Sequence, residues 1–128
     1  MPESITAFDL GWLVGILEGE GAFVVSYDKR RKGTYNSKIQ VEMTDKDMID
    51  RINNLFPGRV WESNYPSKYK SFPNAKPSWR WAISSKDKTK ALAELIYPFM
   101  SDRRKLQLDL VIKHSEYKYK GIVNNNND

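Results

Sequence analysis

Three glycines recur at every fourth position in the first apolar stretch of the chain, and they constrain its fold more than any other feature. Gly11, Gly15 and Gly19 are spaced so that they share one stripe of an α-helix. Each glycine destabilises a helix by about 1 kcal/mol relative to alanine, so three glycines on one stripe need a structural or functional reason. Because it carries no side chains, a second backbone can approach it closely. The pattern therefore predicts a helix that packs through this glycine stripe.

Two carboxylates, Glu18 and Glu20, lie at the end of the same helix. The C-terminal end of a helix carries partial negative charge, so a carboxylate there favours a cation as its partner. The chain has no cysteine and one histidine, which excludes zinc–thiolate and histidine-rich centres. Any metal must therefore be held by oxygen. A buried helix that tolerates glycine and ends in an acidic capping turn is the simpler alternative.

The segment from Leu13 to Gly21, LVGILEGEG, resembles the nine-residue signature of the LAGLIDADG homing endonucleases. Glutamates stand where aspartates are more usual in that family, and Val14 stands where alanine is usual. The resemblance extends in layout from about Thr6 to Tyr119, and the signature is its specific part. The positions that match are Gly15, Gly19 and Gly21, the aliphatic Leu13, Ile16 and Leu17, and the acidic Glu18 and Glu20.

Capping signals and periodicity predict one α+β domain. Thr6 with Asp9 forms a capping-box-like start for the first helix, and a period of two begins at Ala22. The predicted order is αββαββαα, with a four-stranded antiparallel sheet, helices on one face and an open face for DNA. We assign residues 1–128 to a single domain, with an ordered core at about 6–119 and a disordered tail at 120–128. The expected elements are a helix at 6–19, strands at 22–28 and 35–44, a helix at 44–56, and strands at 59–65 and 79–84. A further helix is expected from Ser84, with an apolar face of Leu92, Leu95, Ile96 and Phe99. The last helix is expected from Ser101, with an apolar face that includes Leu106, Leu110 and Val111.

The charge balance favours a polyanionic partner. Lys and Arg total 21 against 16 acidic residues, giving a net charge of +5 and a pI near 9.4. Nucleic acid is the partner that such a balance first suggests. No stretch approaches ~20 apolar residues and no signal-peptide pattern is present, so we expect an intracellular protein of unknown compartment, without a membrane or small-molecule partner.

With one motif per chain, the resemblance implies a homodimer in which two copies of the first helix cross at their glycine stripes. An isologous dimer presents the same surface twice, so a roughly palindromic double-stranded DNA target is expected. The resemblance also implies that Glu20 and the Gly19 carbonyl of each subunit hold Mg²⁺, which activates water for phosphodiester hydrolysis. The expected interface residues are Gly11, Trp12, Gly15, Ile16, Glu18 and Gly19, of which Glu18 is expected to serve mainly at the helix end.

Two further catalytic positions follow from the resemblance. A polar residue on the second strand assists the attacking water in the family, but that position falls at or beside Met43, whose thioether cannot orient water as an amide can. Gln40 or Glu42 is therefore expected to replace it. A basic residue near the scissile phosphate is expected at the start of the last helix, where the candidates are Arg103, Arg104 and Lys105.

The open face of the sheet is expected to contact DNA, because a two-stranded ribbon fits the major groove. Trp79 and Trp81 are assigned to the core instead. Basic residues of the loops, namely Lys29, Arg31, Lys32, Lys68 and Lys70, are expected at phosphates. Counting outward from Glu20 by alternation gives the facing set: Val24, Ser26, Asp28, Arg30, Asn36, Lys38, Gln40, Glu42, Arg59, Trp61, Ser63, Arg80 and Ala82.

These features predict a magnesium-dependent, homodimeric, site-specific endonuclease for double-stranded DNA, of the kind encoded in mobile introns. Two alternatives share the fold: an RNA-binding intron maturase, and a DNA-binding module that has lost cleavage. Retention of an acid at Glu20 favours the endonuclease over the inactive module.

Overall fold

The computed structural model describes residues 5–63 and 77–116 of the chain. Over these two ranges the elements follow the predicted order αββαββαα, which confirms the α+β fold. The expected tail at 120–128 lies outside the described residues. The helices are α1 (Ala7–Glu20), α2 (Lys46–Leu55), α3 (Lys86–Ile96) and α4 (Asp102–Lys113), and the strands are β1 (Ala22–Tyr27), β2 (Tyr35–Met43), β3 (Arg59–Ser63) and β4 (Ser78–Ile83).

The four described strands form one antiparallel sheet in the order β1-β2-β4-β3. Gln40 on β2 lies opposite Ala22 on β1 and Ala82 on β4. Directly opposed residues point to the same side of a sheet, so even-numbered residues of β1, β2 and β4 share a face with odd-numbered residues of β3. We call this side the open face, because the helices pack on the other side.

The core lies between the helices and the covered face of the sheet. Ile39, Val41 and Trp81 project from the central strands and are fully buried or nearly so. The Trp81 Nε1 donates a hydrogen bond to the carbonyl oxygen of Phe56 at 3.1 Å, and Trp79 packs partly buried beside this core. The helices contribute Leu13, Leu17, Ile49, Ile52, Leu92, Ile96, Leu108 and Val111. None of the described helices is long and apolar enough to cross a membrane.

Hydroxyl side chains cap three of the helices. Thr6 Oγ1 accepts from the Asp9 backbone N–H at 3.1 Å, as the sequence predicts. Ser101 caps α4. For α3 the cap expected at Ser84 is wrong by one residue, because Ser85 Oγ accepts the N–H of Lys88.

The apolar faces predicted for the C-terminal part of the chain need correction. Leu106 and Leu110 are 69% and 54% exposed, and Phe99 is 58% exposed. On α3, Leu92 and Ile96 are buried as predicted. The buried side of α4 is formed by Arg104, Leu108 and Val111, of which only Val111 is in the predicted set. Apolar periodicity alone selects the wrong face, because a charged residue with internal hydrogen-bond partners begins the buried stripe.

Candidate functional site

The C-terminal end of α1 places one carboxylate at the junction of helix and sheet. Glu20 is the last residue of α1 and is exposed, and β1 begins after Gly21. A Cβ at Gly21 would lie 2.5 Å from the Leu17 carbonyl oxygen, so only glycine permits this tight exit from the helix. Among residues 5–63 and 77–116, no side chain or backbone group pairs with the Glu20 carboxylate.

Some backbone carbonyl oxygens at the same helix end accept hydrogen bonds from residues outside the helix, and others have no partner among the described residues. Helices leave their last four carbonyls without intrahelical donors. The Leu17 oxygen accepts from the Gly21 N–H at 3.0 Å, and the Glu18 oxygen accepts from Arg104 Nε at 3.1 Å. No described donor outside the helix reaches the carbonyl oxygen of Gly19. The atoms at this helix end that could coordinate a metal are therefore oxygens, which are the ligands that magnesium and calcium prefer.

These oxygens are candidate ligands for a divalent metal ion. Within the described residues, no three acidic or histidine side chains cluster closely enough to hold an ion. One chain contributes a single carboxylate, Glu20, together with the adjacent Gly19 carbonyl. An ion bound by these groups needs further ligands, which water or another molecule would supply.

The Glu18 side chain binds the start of α4. Its carboxylate accepts from the Ser101 backbone N–H at 2.7 Å and from Ser101 Oγ at 3.0 Å. The Ser101 N–H is the main reason that the pKa of Glu18 is lowered from its usual value of 4.5, and Arg104 adds to the effect. These contacts fit the helix-end role expected for Glu18.

The three basic candidates at the start of α4 have different environments. Arg104 is 7% exposed, donates to Gln107 Oε1 at 2.9 Å as well as to Glu18, and lies over the Phe23 ring at 4.8 Å. The Lys105 ammonium lies 5.7 Å from the centre of the Tyr97 ring. Arg103 is exposed. Of the three, Arg103 is the most exposed, and Arg104 is committed to internal partners.

Gln40 and Glu42 also differ in what they contact. The Gln40 Oε1 atom is buried and has no hydrogen-bond partner among the described residues. Glu42 Oε2 accepts from Ser78 Oγ at 2.6 Å, and Glu42 Oε1 accepts from Arg80. The Ser78 hydroxyl is the main cause of the lowered pKa of Glu42. Met43 lies on the covered face opposite Trp79, so its side chain is not on the side where Gln40 lies.

The sheet register places the expected facing residues of the strands together on the open face. Arg59 and Arg80 both lie over Trp61, with their Cζ atoms 4.6 Å and 5.7 Å from the ring centre. Asp28, Arg30 and Lys32 fall in the turn after β1, where Asp28 Oδ1 accepts the Arg30 N–H at 2.9 Å. Lys68 and Lys70 lie outside the described residues. The open-face set comprises Val24, Ser26, Asn36, Lys38, Gln40, Glu42, Arg59, Trp61, Ser63, Arg80 and Ala82, of which Ser63 and Ala82 are buried.

The glycine stripe is exposed and unobstructed. A Cβ built at Gly11, Gly15 or Gly19 meets no described atom within 4 Å. Beside the stripe, a cavity of about 390 Å³ is lined by Ala7, Leu10, Gly11, Val14 and Phe99.

Two residues expected at the same surface as the stripe contribute to the core of their own chain. Trp12 and Ile16 are partly buried and pack against that core. The Arg51 Cζ atom lies 4.0 Å from the centre of the Trp12 ring. Phe8, which is 78% exposed, is not among the residues that the sequence predicts for this surface. Its position three residues before Gly11 is the signal that could identify it.

No family model and no curated protein sequence matches this chain. Solved structures do match. I-Vdi141I, an archaeal intron-encoded homing endonuclease complexed with DNA, has a TM-score of 0.66 and 18% identity over 91% of this chain and 70% of its own. I-CvuI, in complex with the I-CreI target and 2 mM Mg with the DNA not cleaved, has a TM-score of 0.66 and 14% identity over 83% of this chain.

A third match is the LAGLIDADG meganuclease I-AabMI bound to uncleaved DNA, with a TM-score of 0.65 and 18% identity over 91% of this chain. The chain spans 64% of the length of I-CvuI and 38% of that of I-AabMI. These similarities show that the chain has the fold of the LAGLIDADG homing endonucleases.

Proposed function

We propose that this protein is a site-specific endonuclease that hydrolyses phosphodiester bonds of double-stranded DNA as a homodimer with a divalent metal. The main observation in support of this proposal is the position of Glu20. Its carboxylate lies where the glycine stripe ends and the open face begins, and no described residue neutralises it. The solved structures of similar fold include homing endonucleases complexed with DNA.

The exposed glycine stripe supports the homodimer. Nothing within the described chain approaches Gly11, Gly15 or Gly19, and α1 carries apolar residues on its exposed side as well as on its buried side. A helix that is apolar all round requires a partner. Two copies of α1 crossing at these glycines would bring both Glu20 carboxylates near the two-fold axis. An isologous arrangement of this kind predicts a roughly palindromic target.

The metal proposal rests on the oxygen donors at the end of α1. Glu20 and the Gly19 carbonyl of each copy would hold the ion, with Mg²⁺ favoured because it keeps several waters and needs few protein carboxylates. A bound divalent ion would activate a water and stabilise charge on the phosphate. I-CvuI–DNA complexes were solved in the presence of 2 mM Mg and of 2 mM Ca.

Residues of the open face would position the DNA and the attacking water. Gln40, on the strand position opposite Ala22, would orient that water through its side-chain amide. Arg103 supplies an accessible cation for the scissile phosphate. The exposed basic turn at Lys29, Arg30, Arg31 and Lys32 would contact phosphates farther along the duplex.

The test uses a plasmid that carries the uninterrupted form of the locus in which the coding sequence lies. We expect the protein to linearise this plasmid in Mg²⁺ and to bind it without cutting in the absence of metal. Binding without cutting under both conditions would identify an inactive DNA-binding module. Binding to the folded intron transcript, with no affinity for the plasmid, would identify a maturase and refute the proposal.

A further inference from the structure

A row of three side chains crosses the centre of the open face. Arg80 on β4 lies directly opposite Glu42 on β2 and Trp61 on β3. Glu42 Oε1 accepts from both Arg80 Nε, at 3.2 Å, and Arg80 Nη2. The other carboxylate oxygen accepts from Ser78 Oγ at 2.6 Å. Glu42 is therefore held from two sides and fixes the orientation of the Arg80 guanidinium.

The hydrogen-bond donors of Arg80 are only partly used. A guanidinium has five N–H donors in a rigid plane. The edge formed by Nε and Nη2 faces Glu42. The other edge, formed by Nη1 and the second hydrogen of Nη2, has no acceptor among residues 5–63 and 77–116. The side chain is 26% exposed, and its Cζ lies 5.7 Å from the Trp61 ring centre. Arg80 thus presents one two-donor edge whose direction is already set.

The neighbours of Arg80 leave room for a ligand. Ser78 and Ala82 flank it on the open side of β4, and both are small. β4 is an inner strand of the sheet, between β2 and β3. A ribbon that enters the major groove presents such central positions to base edges, whereas the basic turn after β1 is better placed for phosphates.

We infer that Arg80 recognises one guanine in each half-site of the DNA target, and that Glu42 is the positioning residue that holds it for this contact. The inference rests on the proposed function. Guanine presents two acceptors, O6 and N7, at the spacing of an arginine edge. A carboxylate engaged by Ser78 and Arg80 is not free to accept from cytosine. Glu42 therefore acts through Arg80 and makes no base contact of its own.

The experiment selects bound sequences from a pool of random-sequence DNA duplexes without divalent metal, so that binding is measured without cleavage. Wild-type protein should enrich a guanine at one position in each half-site that Arg80→Met does not enrich, because methionine has no hydrogen-bond donor for O6 and N7. Arg80→Gln should shift that position towards adenine. Glu42→Gln should keep the guanine with weaker discrimination. The comparison variant is Arg59→Met, which alters the other arginine over Trp61 and should leave the guanine at this one position enriched.

A second measurement tests the contact atom by atom. Replacing the selected guanine by 7-deazaguanine removes the N7 acceptor, and we expect wild-type affinity to fall on the order of tenfold. The affinity of Arg80→Met, which has no donor for N7, should not respond to the replacement. A response in the variant equal to that of the wild type would overturn the assignment.

The remaining outcomes separate this inference from the proposed function. If Arg80→Met keeps every preferred base and only weakens binding to all sequences, Arg80 contacts phosphate and the assignment is wrong. If Arg59→Met removes the guanine preference instead, the wrong arginine has been assigned. If the wild type enriches no sequence, sequence-specific DNA binding itself fails, and the inference fails with it.

Discussion

Arg104 donates from its Nε atom to the carbonyl oxygen of Glu18 at 3.1 Å, and the same nitrogen lies 3.6 Å from the Glu18 carboxylate. The pair joins the last turn of α1 to the first turn of α4. A cation at the C-terminal end of a helix interacts favourably with the helix dipole, as does an anion at an N-terminal end. Because Glu20 lies two residues after Glu18, its position depends on this connection between the helices.

Removing the buried guanidinium should weaken the fold. We expect Arg104→Met to lower the free energy of unfolding by about 2 kcal/mol, because the Glu18 carbonyl and carboxylate lose a charged donor. Urea denaturation measures the change. The matched control, Arg103→Met, alters an exposed neighbour and should stay within about 0.5 kcal/mol of the wild type. Equal losses in the two variants would contradict the structural role of Arg104.

The contribution of Glu18 to stability should depend on pH. Its pKa is lowered in the folded chain from the usual value of 4.5, chiefly by the Ser101 N–H. A carboxyl with a lowered folded pKa stabilises the protein above the unfolded pKa and loses that contribution as pH falls through the folded pKa. The difference in unfolding free energy between wild type and Glu18→Gln should therefore be constant from pH 7 to about pH 5 and shrink below 4.5.

Ser101→Ala is the control for this pH dependence. The variant loses the hydroxyl that caps α4 and donates to Glu18, but it keeps the backbone N–H at 2.7 Å from Glu18. It should lose about 1 kcal/mol through the cap and retain the larger part of the pH dependence, because the backbone N–H is the main cause of the lowered pKa of Glu18. A Glu18→Gln difference that grows at low pH would show that the sign is wrong.

Substitutions in the glycine stripe should have opposite effects on the stability of the single chain and on dimer assembly. Gly15→Ala adds a methyl group where the described chain leaves open space, so it should stabilise the isolated chain by about 1 kcal/mol. The same methyl group lies in the proposed helix crossing and should weaken the dimer, and Gly15→Leu should abolish it. Analytical ultracentrifugation measures both effects on assembly.

Gly21→Ala separates local folding from assembly. Its Cβ would lie 2.5 Å from the Leu17 carbonyl oxygen, so this variant should destabilise the chain instead of stabilising it. An intact Gly15→Leu dimer would refute the interface.

Element order and sheet faces could be predicted from the sequence because both follow local rules. Alternation along β2 places Ile39 and Val41 inward and Gln40 and Glu42 on the open face, as the register shows. The buried face of α4 could not be predicted in the same way. Arg104 is buried only because Glu18 and Gln107, one of them distant in sequence, accept its hydrogen bonds.

The sequence predicts the helices and strands more reliably than it distinguishes among the candidate site residues that lie on them. The sequence identifies Arg103, Arg104 and Lys105 as a group, since three consecutive basic residues look equivalent without their environments. Only the fold shows that Arg104 is internal and that Arg103 is exposed. Their roles in catalysis stay predictions.

DNA affinity should fall steeply with salt through the turn after β1. Arg31 and Lys32 are exposed there, and each phosphate that a protein neutralises steepens the slope of log K against log salt concentration by about 0.9. Arg31→Gln and Lys32→Gln should therefore each make the slope shallower by about 0.9, measured by fluorescence anisotropy on the target duplex. Lys88→Gln, on α3 behind the sheet, should leave the slope unchanged. Unchanged slopes in all three variants would remove this turn from the DNA interface.

The most direct test of the account compares plasmid cleavage by wild type, Glu20→Gln and the control Glu94→Gln, an exposed carboxylate on α3. Each protein is incubated with the target plasmid in Mg²⁺, and binding is measured separately without metal. We expect wild type and Glu94→Gln to linearise the plasmid, while Glu20→Gln binds with similar affinity and leaves it uncut. Cleavage by Glu20→Gln at the wild-type rate would contradict the assignment of Glu20 as the metal-holding residue.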